Sequence, residues 1–103
     1  MNEHKKLAYQ LEDTFALGIS LPVVAMRQLP KIAEKFAALP DCNDYPNGVQ
    51  RVMHEHIMSF VEKNKRYMDD ERELREIFVK AQKSNMYSHH YFKIYEMMKS
   101  LTP

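Results

Sequence analysis

The sequence is poor in cysteine and glycine, and it lacks a long apolar run. Cys42 is the one cysteine, so no internal disulfide can form, and a lone thiol among 103 residues is typical of a reducing compartment. The two glycines, Gly18 and Gly48, are too few and too far apart for a glycine-rich phosphate loop. The longest apolar stretch, residues 15–26, is interrupted by polar and turn-forming residues and falls short of the ~20 residues that span a bilayer. We therefore expect a soluble, cytoplasmic protein with no membrane segment.

Charge of one sign is also lacking. Fifteen basic residues oppose 14 acidic ones, which gives a net charge of +1 and none of the strongly basic character expected of a nucleic-acid-binding domain. Hydrophobic residues make up 45% of the chain, enough for a packed core and against wholesale disorder. The length predicts a single domain over residues 1–103.

Apolar residues recur at helical spacing through most of the chain. Leu7, Leu11 and Phe15 predict a first helix over about 3–17, with Gly18 as its C-cap. Ser20 is the predicted N-cap of a second helical region. Its apolar positions follow steps of three and four and are Leu21, Ala25, Leu29, Ile32, Phe36 and Leu39. Pro30 interrupts this region, and we expect two short helices that meet near Leu29 rather than one kinked helix.

The second half of the chain follows the same pattern after a turn-rich loop at 40–48. A helix is predicted over about 48–67, and Asp69 or Asp70 is expected to cap the next one, whose buried face includes Leu74 and Phe78. Polar residues interrupt the pattern near 84–88, which predicts a last helix over about 89–100. The expected fold is all-α, an irregular bundle of four to six short helices, with Phe36, Phe60 and Phe78 in its core.

The histidines and the cysteine do not form a catalytic or metal-binding pattern. His54 and His56 are two residues apart, and His89 and His90 are adjacent, so neither pair converges from one helix. Acidic neighbours on both sides of Cys42 oppose thiolate formation. We expect no catalytic residue, no metal and no cofactor, and we interpret the chain as a non-enzymatic protein.

The C-terminal quarter carries most of the predicted interaction residues. Lys80, Lys83, Tyr87 and His90 share one side if the chain is helical there, and cations mixed with aromatic side chains contact either nucleic acids or proteins. A solvated helix face is the plainer interpretation of the same residues. The predicted interaction residues are Lys80, Lys83, Tyr87, His90, Tyr91, Lys93, Met97 and Met98.

Methionine is unusually frequent, with eight residues in the chain. Met58, Met68, Met86 and Met97 fall outside the apolar seams, and methionine suits adaptable binding surfaces. A partly exposed methionine and tyrosine surface would fit a partner interface, while gap-filling in a small core explains the methionines equally well.

Several residues between 62 and 101 occur in the order known from one bacterial family. They are Glu62-Lys63-Asn64-Lys65, Asp69-Asp70-Glu71, Glu73-Leu74, Phe78, Ala81 and Lys93-Ile94-Tyr95-Glu96. This stretch resembles the C-terminal part of the haemolysin-expression-modulator (Hha/YmoA-like) family, with a two-residue insertion before Phe78 and no counterpart for the first 60 residues. The resemblance implies a small helical bacterial protein that acts by binding the nucleoid protein H-NS, and it transfers no functional residue.

These observations favour a small regulatory, inhibitor or adaptor protein that binds another protein through a helical face rich in methionine and tyrosine. The alternative is a small nucleic-acid-binding regulator that uses the basic segment 80–99. The identity of the protein partner does not follow from the sequence, and a homo-oligomer is compatible with it.

Overall fold

The computed structural model describes residues 3–41 and 48–83, and every regular element within them is helical. The α-helices are α1 (Glu3–Ser20), α2 (Pro22–Ala37), α3 (Val49–Asn64) and α4 (Glu71–Lys83), and a 3₁₀ turn, Lys65–Tyr67, follows α3 directly. This confirms the all-α prediction. The helix predicted over 89–100 lies outside the described residues. None of the helices in 3–41 and 48–83 is long and apolar enough to cross a membrane.

The four helices pack around one apolar core, and α2 makes the most extensive contacts, with α1 and with α3. Phe36, Phe60 and Phe78 are fully buried, as the periodicity predicted. The Phe60 and Phe78 rings meet edge to face with centroids 5.4 Å apart, and Phe15 contacts both, at 5.5 and 6.2 Å. Such ring pairs stabilise the fold beyond the contribution of burial alone. The aromatic cluster therefore stabilises the packing of α1, α3 and α4 against one another.

The end of α1 differs from the prediction, because Gly18 is not its C-cap. The helix continues to Ser20, and Gly18 is a buried residue within it. A Cβ built on Gly18 would overlap the ring of Phe78, so glycine is needed for the close approach of α4 rather than for a turn. Arg75 of α4 donates hydrogen bonds to the carbonyls of Ile19 (2.8 Å) and Ser20 (3.4 Å) and so satisfies the open end of α1.

The α2 helix runs without a break through Pro30, so the prediction of two short helices is wrong. Proline removes only one backbone hydrogen bond, while Leu29, Ala33 and Phe36 stay fully buried on one continuous side of the helix. Burial on both sides of the proline therefore outweighs the lost bond. The N-cap is Leu21 rather than Ser20, and Pro22 occupies the first turn, where its missing N–H has no cost.

Side-chain hydrogen bonds connect the segment that precedes residues 42–47 to the segment that follows them. The buried Gln50 donates from Nε2 to the Asp41 carboxylate (2.8 Å) and to the carbonyl of Leu39 (3.0 Å). Gly48 begins α3 with φ of 79°, a left-handed conformation that glycine adopts without strain. These hydrogen bonds hold the start of α3 next to the segment that follows α2.

Asp70 caps α4, which confirms one of the two predicted positions. Its carboxylate accepts a hydrogen bond from the backbone N–H of Glu73 (3.1 Å), and its carbonyl accepts the first helical bond, from Leu74 (2.9 Å). Leu74 and Phe78 then place α4 against the core.

Candidate protein-interaction surface on the second helix

The predicted C-terminal interaction residues fall mostly beyond the described part of the chain. Lys80 is exposed on α4, and Lys83 is the last residue of that helix. Tyr87, His90, Tyr91, Lys93, Met97 and Met98 lie outside the described residues. The predicted stripe therefore stays a prediction.

Methionines in the described ranges belong to the core more than to a surface. Met26 and Met53 are buried, and Met58 and Met68 are half-buried and pack against the core cluster. Tyr67 is also half-buried, and the guanidinium of Arg66 lies 4.8 Å from its ring centroid. These methionines fill gaps in the core, which is one of the two interpretations of the methionine content that the sequence allowed; the other was a partner interface.

One side of α2 is exposed along its whole length and shows a regular spacing. Its residues follow steps of three, four, three and four, the spacing of positions that face a partner helix in a coiled coil. All are exposed, and we call this set the α2 face: Leu21, Val24, Gln28, Lys31 and Lys35. Leu21 and Val24 are among the most exposed large hydrophobic residues of the described chain, at 50% and 40%.

Sequence reasoning missed the α2 face because it placed Leu21 in the buried seam. In the structure Leu21 is the N-cap of α2, and the buried positions begin at Pro22 and Ala25. Two interleaved rows of residues on α2 therefore obey helical spacing, one buried and one exposed. The signal was present in the sequence, yet the positions of the neighbouring helices, α1 and α3 above all, decide which row is covered.

A groove of about 330 Å³ runs beside the α2 face, between α1 and α2. Its α2 wall includes Gln28, Lys31 and Lys35, and the half-buried Ile32 supplies apolar lining. The α1 wall consists of Gln10, Asp13 and Thr14. The Thr14 hydroxyl donates to the carbonyl of Gln10 (2.7 Å). Most of the lining surface is apolar, although most of the lining residues carry polar groups.

The two lysines of the α2 face, Lys31 and Lys35, form no direct ion pair among the described residues, and the Asp13 carboxylate is on the opposite wall of the groove. By contrast, Lys65 and Arg75 each pair with a glutamate. Like charges four residues apart on a helix repel each other by a few tenths of a kcal/mol. An anionic group placed over both ammonium groups would remove this repulsion.

The side chains that could ligate a metal are scattered over residues 3–41 and 48–83. No group of three or more histidine, cysteine, aspartate or glutamate side chains converges within these ranges. His4 is buried against the edge of Phe36, and its Nε2 lies 3.0 Å from the carbonyl of Pro40, which is a packing role between α1 and the end of α2. What the geometry offers instead is the exposed α2 face with its adjoining groove.

Comparison of the chain with protein-family models, curated proteins and solved structures gives no match. The resemblance of residues 62–101 to the haemolysin-expression-modulator family therefore remains a prediction. In this structure the matching positions Asp70, Leu74 and Phe78 cap and pack α4, roles that many helices share.

Proposed function

We propose that this protein is a non-enzymatic regulator, inhibitor or adaptor that binds another protein through a helical surface. The observation that carries the proposal is the α2 face, where two exposed apolar side chains lie beside polar and basic residues on one side of a well-packed helix. Leu21 and Val24 begin this face, and no core requirement explains two large apolar side chains in solvent there. An apolar contact beside polar and charged residues is the usual composition of a protein interface.

The energetic contribution of the two apolar residues is large enough to matter for binding. Full burial of an exposed leucine or valine contributes about 1.5–3 kcal/mol, so half-exposed side chains offer about 1 kcal/mol each. Together, Leu21 and Val24 would change the dissociation constant by about 30-fold. Their replacement should barely alter the free energy of unfolding, since exposed substitutions rarely change it by more than ~0.5 kcal/mol.

The experiment is affinity capture from cells that naturally make the protein, with mass spectrometry of the captured proteins and titration of the purified partner. The test variant is Leu21→Ser with Val24→Ser. The matched control is Val52→Ser, because Val52 on α3 is a valine with the same 40% exposure. We expect a partner that the wild type and the control retain and that the test variant loses.

If the wild type, the control and the test variant capture the same partner equally well, α2 is not part of the interface. If the wild type captures no protein, the proposal itself is contradicted. The C-terminal residues Tyr87, Tyr91, Met97 and Met98 remain predicted contributors. Replacing both tyrosines by alanine tests them in the same assay, and a loss of capture there alone would move the interface to the C-terminal segment.

The alternative function is a nucleic-acid-binding regulator that uses the basic segment 80–99, and the exposed position of Lys80 on α4 is what favours it. Titration with duplex and single-stranded DNA and RNA at about 150 mM salt separates the two functions. Sub-micromolar binding that disappears when Lys80, Lys83 and Lys93 become alanine would establish the alternative. The proposal locates the protein in the cytoplasm, because its lone cysteine suits a reducing compartment.

A further inference from the structure

We infer that the α2 face receives one acidic amphipathic helix of a partner protein, oriented antiparallel to α2. This inference rests on the proposed function and specifies the chemistry of the partner. The α2 face is polarised along its length, with Leu21 and Val24 at its start, Gln28 in the middle, and Lys31 and Lys35 at its end. From Leu21 to Lys35 it extends about 21 Å at the rise of an α-helix, which matches a partner helix of about four turns.

Charge complementarity defines one half of the partner. Lys31 and Lys35 repel each other and have no ion-pair partner among the described residues, so two carboxylates one turn apart on the partner would pair with them. The other half of the partner must be apolar, because it covers Leu21 and Val24. Ile32 and the groove beside it provide room for one further apolar side chain.

The direction of the partner follows from helix electrostatics. The C-terminal end of a helix carries partial negative charge and its N-terminal end partial positive charge, and carboxylates are most favourable in the first turn. A partner helix antiparallel to α2 brings its N-terminal turn next to Lys31 and Lys35. Carboxylates in that turn then stabilise the partner helix and pair with the lysines at the same time.

A second copy of this chain does not satisfy the same requirements. Two α2 faces packed antiparallel about Gln28 would place Lys31 and Lys35 against Val24 and Leu21 of the other copy, and four ammonium groups would lack counter-charges. A nucleic acid satisfies them no better, because its phosphates would pair with the lysines but would leave Leu21 and Val24 uncovered. The partner that matches both halves is an acidic amphipathic helix.

The experiment uses the full chain and a fluorescein-labelled model peptide of about 18 residues, which would span about 27 Å as a helix. The peptide carries glutamates in its first two turns and leucines at heptad spacing thereafter. Three further peptides serve as comparisons: the same sequence with glutamine for each glutamate, the reverse sequence, and an unlabelled copy as competitor. Fluorescence anisotropy at low and high salt gives the dissociation constants.

We expect the acidic peptide to bind more tightly than the glutamine and reverse peptides. The double variant Lys31→Glu with Lys35→Glu should weaken binding at least tenfold and reverse its salt dependence, because salt then screens a repulsion. The matched control is Lys63→Glu with Arg72→Glu, which makes the same charge change at exposed positions of α3 and α4 and should leave binding unchanged. Far-ultraviolet dichroism checks that both variants are folded.

Failure of the acidic peptide to bind, equal binding of the glutamine peptide, or a loss of binding with the Lys63 and Arg72 control would overturn the inference. Equal binding of the reverse peptide would overturn the orientation. If the natural partner is lost with the Leu21 and Val24 variant but not with the Lys31 and Lys35 variant, the proposed function stands and the acidic helix is wrong. Competition of the labelled peptide by duplex DNA instead of by the unlabelled copy would assign the surface to nucleic acid.

Discussion

Replacement of Gly18 by alanine tests how closely α1 and α4 approach each other. In an exposed helix interior this change is stabilising by about 1 kcal/mol, because alanine has the higher helix propensity. At Gly18 the new Cβ would overlap three ring carbons of Phe78, and even the farthest, Cε1, would be 2.6 Å away. Carbon atoms in ordinary contact are about 3.5–4.0 Å apart, so the ring must retreat by about 1 Å.

The Phe78 ring has little freedom to make that retreat, since it packs edge to face against Phe15 and Phe60. Overpacking of this kind costs about 1–3 kcal/mol, so we expect a net destabilisation of about 1–2 kcal/mol after the gain in helix propensity. Urea unfolding followed by dichroism at 222 nm measures it. The control is Ala16→Gly, an exposed position in α1 that should lose about 1 kcal/mol from propensity alone.

A double-mutant cycle with Phe78→Leu isolates the contact between the two positions. The smaller leucine should relieve the overlap, so Gly18→Ala should become neutral or stabilising in that background, with a coupling energy of about 1 kcal/mol or more. A stabilising Gly18→Ala in the wild-type background would refute the reasoning, because it would mean that the two helices do not touch at this position.

Four further predictions concern the core, the caps and ligands. Phe60→Ala should cost about 3–5 kcal/mol in thermal unfolding, whereas Val52→Ala should cost much less; similar losses would contradict the assigned burial. Asp70→Ala should lose about 1 kcal/mol and Asp69→Ala almost nothing, and the reverse order would assign the cap to Asp69. Pro30→Ala should raise the urea midpoint by completing the hydrogen bonding of α2, and a loss of stability would indicate a break there. Prolonged treatment with a strong chelator should leave the melting curve unchanged, and a large shift would reveal a structural metal.

The sequence predicted the features that depend on local spacing. The phenylalanines at 36, 60 and 78 each lie on their segment's apolar seam, and all are buried. A cap at Asp69 or Asp70 was identifiable because an acidic residue before a periodic segment is commonly an N-cap, and the structure selects Asp70. Such features need no knowledge of the neighbouring helices.

The features that sequence reasoning missed depend on contacts between distant segments. A glycine near the end of a helix serves either as a C-cap or as a point of close approach to another helix. At Gly18 the choice depends on Phe78, which is 60 positions later in the chain. Pro30 is tolerated because Leu29 and Ala33 on either side of it are both buried, which the spacing alone does not guarantee. The exposure of Leu21 and Val24 depends in the same way on where the neighbouring helices lie. Most of the predicted C-terminal site lies outside the described residues, so it stands as the sequence predicted it.

The most direct test of the central claim is photo-crosslinking from the centre of the α2 face. A photoreactive amino acid replaces Gln28 in one sample and Ser59, an exposed residue of α3, in the other. Both proteins are expressed in the native host, irradiated, and examined for covalent adducts by mass spectrometry. The account predicts a defined protein adduct from position 28 and none from position 59. An adduct from position 59 alone, or no protein adduct from position 28, would contradict a partner bound on α2.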